Sequence, residues 1–187
     1  FTYFLRKPFC QEMGRKIKMA FSNNDKDTAF TYIHDLGFIP KIDNGERGFK
    51  VLVGGGLVAQ PFLAQTAFEF LHEDKLIPFV EATLRVFARH GERASRHKAR
   101  IKYLINKIGI EEVLKLVKEE EKALFVQEFE IDTRVENNIT TLKTVLPKDL
   151  PVVNEDDYKL WLQTNTFEQK QAGLIGVYVK VQLGNIL

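Results

Sequence analysis

The sequence predicts an α+β fold, a mixed sheet covered by helices, followed by the start of a ferredoxin-like α+β unit. Three observations predict it. Apolar residues recur at every second position before Gly54, at helical spacing for roughly sixty residues beyond Pro61, and at every second position again from Leu174. With 187 residues, 44% of them apolar, the chain can bury a substantial core.

Phe1 to Glu12 has no clean period and is interrupted by Pro8, which reads as a helix tail or a connector. Arg15 to Ser22 alternates Ile17, Met19 and Phe21 against Lys16, Lys18, Ala20 and Ser22, the pattern of a half-buried strand. The polar stretch Asn23 to Asp27 can cap a short helix that runs to Asp35 and stops at Gly37. Gly37 to Ile42 and Gly48 to Val53 read as strands, with Asn44-Gly45 as the turn between them. Helical stripes follow: Ala64, Phe68 and Leu71; then Ile77, Val80, Leu84 and Phe87, with Asp74 as N-cap and Gly91 as stop. Ile101, Leu104, Ile105 and Ile108 make a third, ended by Gly109, and Val113, Leu116, Val117 and Leu124 a fourth, supported by Glu111 four residues before Lys115. The expectation is four packed helices on a mixed sheet. Phe129 to Val153, rich in Thr and Asn and holding Pro147 and Pro151, reads as a boundary. Asp156 to Thr164 suits a short helix anchored by Trp161, and Leu174 to Leu183 a strand with one wet face. The divisions are therefore 1–14, 15–129, 130–153 and 154–187.

No apolar run approaches the roughly 20 residues needed to cross a bilayer, so a membrane role is not expected. A net charge of +2 is too small to argue for nucleic acid. Positive residues nevertheless crowd between Arg85 and Lys107. The single cysteine, Cys10, excludes both a disulfide framework and a thiolate metal site built within the chain, and makes cytoplasmic the default compartment. His72, His90 and His97 lack the mutual spacing of a zinc site, and no nucleophile motif is present. His34 with Asp35 has the composition of an acid/base pair, although a capping or packing role suits His34 near a helix end better.

Three constellations can carry chemistry. Lys16 and Lys18, beside Arg15, place two ammonium groups on one strand face about 7 Å apart, where they attract an anion. A solvated edge strand protected by lysines explains them too. Arg93, Arg96, Lys98, Arg100 and Lys102 mark a helix start with i,i+4 repulsions between Arg96 and Arg100 and between Lys98 and Lys102, relieved by a bound carboxylate or phosphate. A solvated basic face neutralised by Glu92 is the other explanation. Gly54, Gly55 and Gly56 let backbone approach a flat ligand or another segment, or simply form a tight turn; they fit neither a dinucleotide fingerprint nor a P-loop.

In order, GRKIKMAFS (14–22), IHDLGFIPKI (33–42), GERGFKVLVGGGL (45–57), AQPFLAQ (59–65) and ARIKYLINKIG (99–109) resemble the first central domain of the nitrite and sulfite reductase haemoprotein family. WLQTNTFEQKQAGLIGVYVKVQLGNI (161–186) is similar to the beginning of that family's second ferredoxin-like half. The resemblance implies reduction of nitrite to ammonia or sulfite to sulfide, with sirohaem, a 4Fe-4S cluster, and electrons from ferredoxin or a flavoprotein. It assigns Lys16 and Lys18 to the anionic substrate, and Arg15, Gly54, Gly55, Gly56, Arg96, Arg100 and Lys102 to the polycarboxylate macrocycle. It also implies an internal fragment: Cys10 matches no cluster ligand, the family's cysteine pairs belong to a second domain beyond Leu187, and the piece alone is expected to retain neither cofactor and to be inactive. Two other readings stay open. One is a family member that kept the fold and lost its cofactors. The other is a non-catalytic module whose basic stretch, Arg93 to Lys107, contacts nucleic acid or an acidic protein, though it lacks the stacking aromatics of a single-strand binder.

Overall fold

The computed structural model describes residues 2–58, 60–131, 154–169 and 173–179. The chain divides into two compact units, Phe1–Val135 and Glu136–Leu187.

In the first unit a four-stranded mixed sheet has the order β1 (Met19–Phe21), β2 (Leu36–Asp43), β3 (Glu46–Val53), β4 (Gln65–His72). β1 runs parallel to β2, and the other pairs are antiparallel. Asn44 and Gly45 both adopt left-handed backbone, φ 48° and 84°, the geometry that lets a two-residue turn follow the twist of a hairpin. The segment before β2 is one turn of 3-10 helix, Thr31–Ile33, rather than the longer helix predicted. Left-handed residues at Asp27 and Phe30 break the run, and the Asp27 carboxylate caps it by accepting from the Thr31 N–H at 2.9 and 3.0 Å. Gly37 is inside β2, not at a helix end; a side chain there would meet the Thr31 carbonyl.

Residues 65–72, predicted as helix, form β4. The cause is a bulge. Phe49 pairs with Leu71 and Val51 with Phe68, so two steps on β3 face three on β4, and residues three apart land on one face of the sheet. Phe68 and Leu71 reach the main core, where Phe68 meets Phe79 edge-to-face at 5.5 Å. Ala64 lies in a separate patch with Ile39 and Leu52.

Three helices supply the rest of the main core: α2 (Leu76–His90), α3 (Ile101–Ile108) and α4 (Ile110–Lys122). α2 follows a 3-10 turn, Glu73–Lys75, capped by the His72 side chain, so Asp74 does not cap the helix itself. Gly109, at φ 83°, separates α3 from α4. Leu36, Phe38, Val51 and Val53 of the sheet pack with Phe79, Phe87, Ile101, Leu104, Ile105, Val113 and Val117. Burying each of these large side chains stabilises the fold by about 1.5–3 kcal/mol.

The stretch expected to be a connector is folded onto α2. It contains a four-residue helix, α1 (Thr2–Leu5), and a 3-10 turn, Pro8–Cys10, and Phe4, Phe9, Cys10 and Met13 pack against the core.

In the second unit a helix, α5 (Glu155–Asn165), begins where the Asn154 side chain accepts from the N–H groups of Asp156 and Asp157, with three acids in its first turn. β5 (Thr166–Glu168) and β6 (Ile175–Val177) pair antiparallel. Trp161 stacks with Tyr158 at 6.4 Å but remains 44% exposed, so it is not a buried anchor. The boundary predicted over 129–153 and the strand predicted over 174–183 fall partly outside the described residues.

Candidate functional site

The regular ladder of β1 starts only at Met19, yet the backbone before it is already tied to β2. Leu36 N–H donates to the Lys18 carbonyl at 3.1 Å, and Lys18 N–H donates to the Asp35 carboxylate at 3.0 Å. Exposure alternates along this stretch: Lys16 and Lys18 are exposed, while Arg15, Ile17 and Met19 are half-buried. Among the described residues neither lysine takes an ion pair.

The second basic group behaves differently. Arg96 and Lys98 form an exposed 3-10 turn of their own, and α3 begins at Ile101. The i,i+4 repulsions expected of one continuous helix therefore do not arise. Arg100 sits at the N-cap position with extended backbone (ψ 152°), and its side chain is drawn inward. Its Nε and Nη2 donate to the two carboxylate oxygens of Asp35 at 3.1 and 2.9 Å, and Nη2 also reaches the Gly55 carbonyl at 3.3 Å. Arg100 is 7% exposed and Asp35 0%. Lys102, 1% exposed, donates to the carbonyls of Val58 and Gln60 at 2.8 and 2.5 Å and lies over the rings of Phe62 and Tyr103. Burial, then the Arg100 and Arg15 charges, lower the Lys102 pKa, against the opposing pull of Asp35. Arg93 is also spent internally, on the carbonyls of Met13, Phe87 and Ala88.

Gly54, Gly55 and Gly56 are bare because this unit fills the space beside them. A methyl at Gly54 would meet Ile105, at Gly55 the carbonyls of Tyr32 and His34, and at Gly56 the Arg100 guanidinium at 2.7 Å. Gly54 N–H donates to the Asp35 carbonyl and Gly55 N–H to the His34 carbonyl, both at 2.9 Å. His34 itself turns Nδ1 toward the Phe30 carbonyl at 2.9 Å, a local contact rather than an acid/base pairing with Asp35.

The structure thus brings the lysine stretch, the glycine run and Arg100 together at Asp35. Two cavities include other residues of these basic groups. One of about 720 Å³ has mostly apolar walls, among them Phe4, Ile17, Leu76 and Val80, and includes Arg15 and Lys16. The other, about 460 Å³, includes Arg93, Lys98 and Lys107. Neither of these cavities is lined by residues of both basic groups; among the described residues Lys18 and Arg100 are linked through Asp35.

Asp35 was the residue sequence reasoning undervalued. Its signal was a carboxylate opening an otherwise apolar strand, Leu36 to Ile39. Glu81 is a second such acid, 2% exposed in the middle of α2. It accepts from the Tyr3 hydroxyl and from Arg85, each at 2.6 Å, with Lys7 at 3.6 Å. Burial raises the Glu81 pKa, but hydrogen bonds from Tyr3 and Arg85 and the charges of Lys7 and Arg85 outweigh it, and the net shift is downward. Beside this cluster, burial and then the Glu81 charge push the Cys10 thiol up, which disfavours the thiolate. A 4Fe-4S cluster takes four thiolates, and the chain has one cysteine; its own residues do not fit that group. Among the described residues no three His, Cys, Asp or Glu side chains are grouped to hold a metal, and no helix is long and apolar enough to cross a membrane.

Comparison with known proteins gives a consistent result. Residues 2–124 match the family described as the nitrite and sulphite reductase 4Fe-4S domain. The sulfite reductase NADPH hemoprotein beta-component of Nitrobacter hamburgensis is 36% identical over 107 residues, 53% of this chain and 18% of that protein. The chloroplastic ferredoxin–nitrite reductase of Zea mays is 26% identical over 151 residues, 80% of this chain and 24% of that protein. The solved structure of Mycobacterium tuberculosis NirA superimposes with a TM-score of 0.57 at 28% identity, over 70% of this chain and 24% of that one. The chain therefore spans under a quarter of the length of these relatives. With the family match running from α1 through α4, the chain belongs to the nitrite and sulphite reductase 4Fe-4S domain family.

Proposed function

We propose that this chain supplies the oxyanion-facing wall, and part of the haem-facing wall, of a sirohaem-dependent reductase that converts sulfite to sulfide or nitrite to ammonia. The observation that carries the reading is the contrast in availability among its cations. Lys16 and Lys18 are exposed without an ion-pair partner among the described residues, on backbone pinned at Lys18, while Arg93, Arg100 and Lys102 are committed to internal partners. Two exposed ammonium groups offset the charge of a small oxyanion, and their Nζ protons are available for delivery as oxygen atoms leave.

Arg15, half-buried, and Arg96, exposed, are the guanidinium groups available to carboxylate arms of the macrocycle. Gly54, Gly55, Gly56, Arg100 and Lys102 contribute to that wall as packed support, with Arg100 and Gly54 tied to the lysine stretch through Asp35. When bound, sirohaem supplies the electron path to the anion; the donor is ferredoxin, which the name of the Zea mays relative carries, or a flavoprotein. The cluster ligands come from elsewhere in a longer protein, and 154–187 is the start of its second ferredoxin-like half. The nucleic-acid reading is weaker because much of the basic stretch is consumed internally.

The test is the full-length protein carrying this chain, produced with sirohaem supply and assayed for sulfite and nitrite reduction with a reduced donor. Lys16→Ala with Lys18→Ala should lower kcat/KM about 100-fold or more, while the haem absorption persists. A colourless, inactive wild-type protein rejects the reductase reading, and unchanged kinetics in the double variant removes the lysines from the substrate.

A further inference from the structure

We infer that Asp35 is the positioning residue of the oxyanion site: its carboxylate fixes the main chain of Lys18 against Arg100, and so sets where the two lysines project. The inference rests on the lysine reading above and deepens it.

Asp35 is completely buried, and its polar atoms tie three parts of the site, Lys18, Arg100 and Gly54. Oδ2 accepts from Lys18 N–H at 3.0 Å and from Arg100 Nη2 at 2.9 Å, and Oδ1 accepts from Arg100 Nε at 3.1 Å. Its carbonyl accepts from Gly54 N–H at 2.9 Å. Arg100 in turn reaches the Gly55 carbonyl, and Gly56 has no room for a side chain beside the guanidinium. The lysine stretch begins three residues before Met19, outside the regular ladder, so its backbone lacks the repeated cross-strand bonds that would otherwise hold it. The bond from Lys18 N–H to Asp35 and the return bond from Leu36 N–H to the Lys18 carbonyl are what anchor it. A carboxylate suits this task because it accepts a bidentate guanidinium and still has a lone pair for an amide N–H.

An ion pair that serves only as glue can be exchanged for apolar side chains without loss of stability, whereas one that also holds a main-chain N–H cannot be exchanged without freeing that N–H. The decisive variant is therefore Asp35→Leu with Arg100→Met in the full-length reductase. The expected result is a folded, haem-containing protein in which KM for the anion rises about tenfold with kcat changed less. In the 187-residue chain, the Lys18 amide of the same variant should exchange with solvent about tenfold faster than in the unaltered chain. A folded double variant with unchanged KM overturns the inference. Should that variant fail to fold, the isosteric Asp35→Asn takes its place: a KM rise of about threefold supports the inference, and an unchanged KM overturns it. A Lys18 amide that exchanges at the solvent rate in the unaltered chain overturns it without any variant. The two readings fail separately. Sensitivity to Lys16→Ala and Lys18→Ala with insensitivity to Asp35 changes sinks the positioning role alone, while insensitivity to both sinks the lysine reading beneath it.

Discussion

Lys16 and Lys18 on one side, and Arg100 and Lys102 on the other, are basic pairs separated by a single residue, yet they end in opposite environments. The first pair is exposed; the second is 7% and 1% exposed and bonded inward. The difference teaches that a cluster of positive charge does not identify a ligand site until its internal partners are counted. Arg100 and Lys102 are held by Asp35 and by carbonyls of residues 55 to 60, so their positive charge is committed to fixing loop against helix. Lys18 has its backbone fixed, and neither Lys16 nor Lys18 has an ion-pair partner among the described residues. The latter combination leaves ammonium charge available to a small anion.

The contrast can be broken most forcefully at Arg100. Arg100→Ala leaves the buried Asp35 carboxylate unpaired and should cost about 3–5 kcal/mol in chemical denaturation. A cost below about 1 kcal/mol would mean that the pair is hydrated and that the two basic groups are less different than their burial indicates. Next in size, Lys102→Met keeps the apolar stem and removes the bonds to Val58 and Gln60. About 2–3 kcal/mol should be lost, with faster amide exchange at Leu57 and Val58 as a local signature.

A control lies in the other buried acid. Glu81→Gln should cost about 1–2 kcal/mol at neutral pH, because the carboxylate is bonded to Tyr3 and Arg85. Its folded pKa lies below the ordinary value of 4.5, so its contribution is fully present above that value and is lost as the pH falls through the folded one. The gap in stability between wild type and Glu81→Gln should accordingly narrow on acidification below pH 4.5, and a gap that stays constant to pH 3 would contradict the shift. The smallest effect belongs to the exposed lysines. Lys16→Ala with Lys18→Ala should alter stability by less than about 0.5 kcal/mol, which is what makes any loss of anion turnover attributable to chemistry and not to unfolding.

Much of the first unit was legible from its residues. The hairpin through Asn44-Gly45, the helix from Leu76 to Gly91 and the helix that ends at Gly109 follow from local turn chemistry and from apolar spacing. β4 was not, because the bulge opposite Phe49 to Val51 gives its core-facing residues a spacing of three, the interval of a helix. The one-turn 3-10 segment at Thr31–Ile33 escaped for a related reason: the left-handed backbone at Asp27 and Phe30 is not encoded in any glycine. In the proposed site, the paired lysines were singled out by their alternate spacing and by the family resemblance, whereas Asp35 and Glu81 carried only the faint signal of an acid among apolar neighbours.

The sequence by itself determined the hairpin at Asn44-Gly45, the helices stopped by Gly91 and Gly109 and the family that the motifs resemble, since periodicity and turn propensity act over a few neighbouring positions. Tertiary structure alone decided which cations stay free. That choice depends on Asp35 meeting Lys18 across 17 residues and Arg100 across 65, and burial of a charge is settled by partners at such distances, not by the residues beside it.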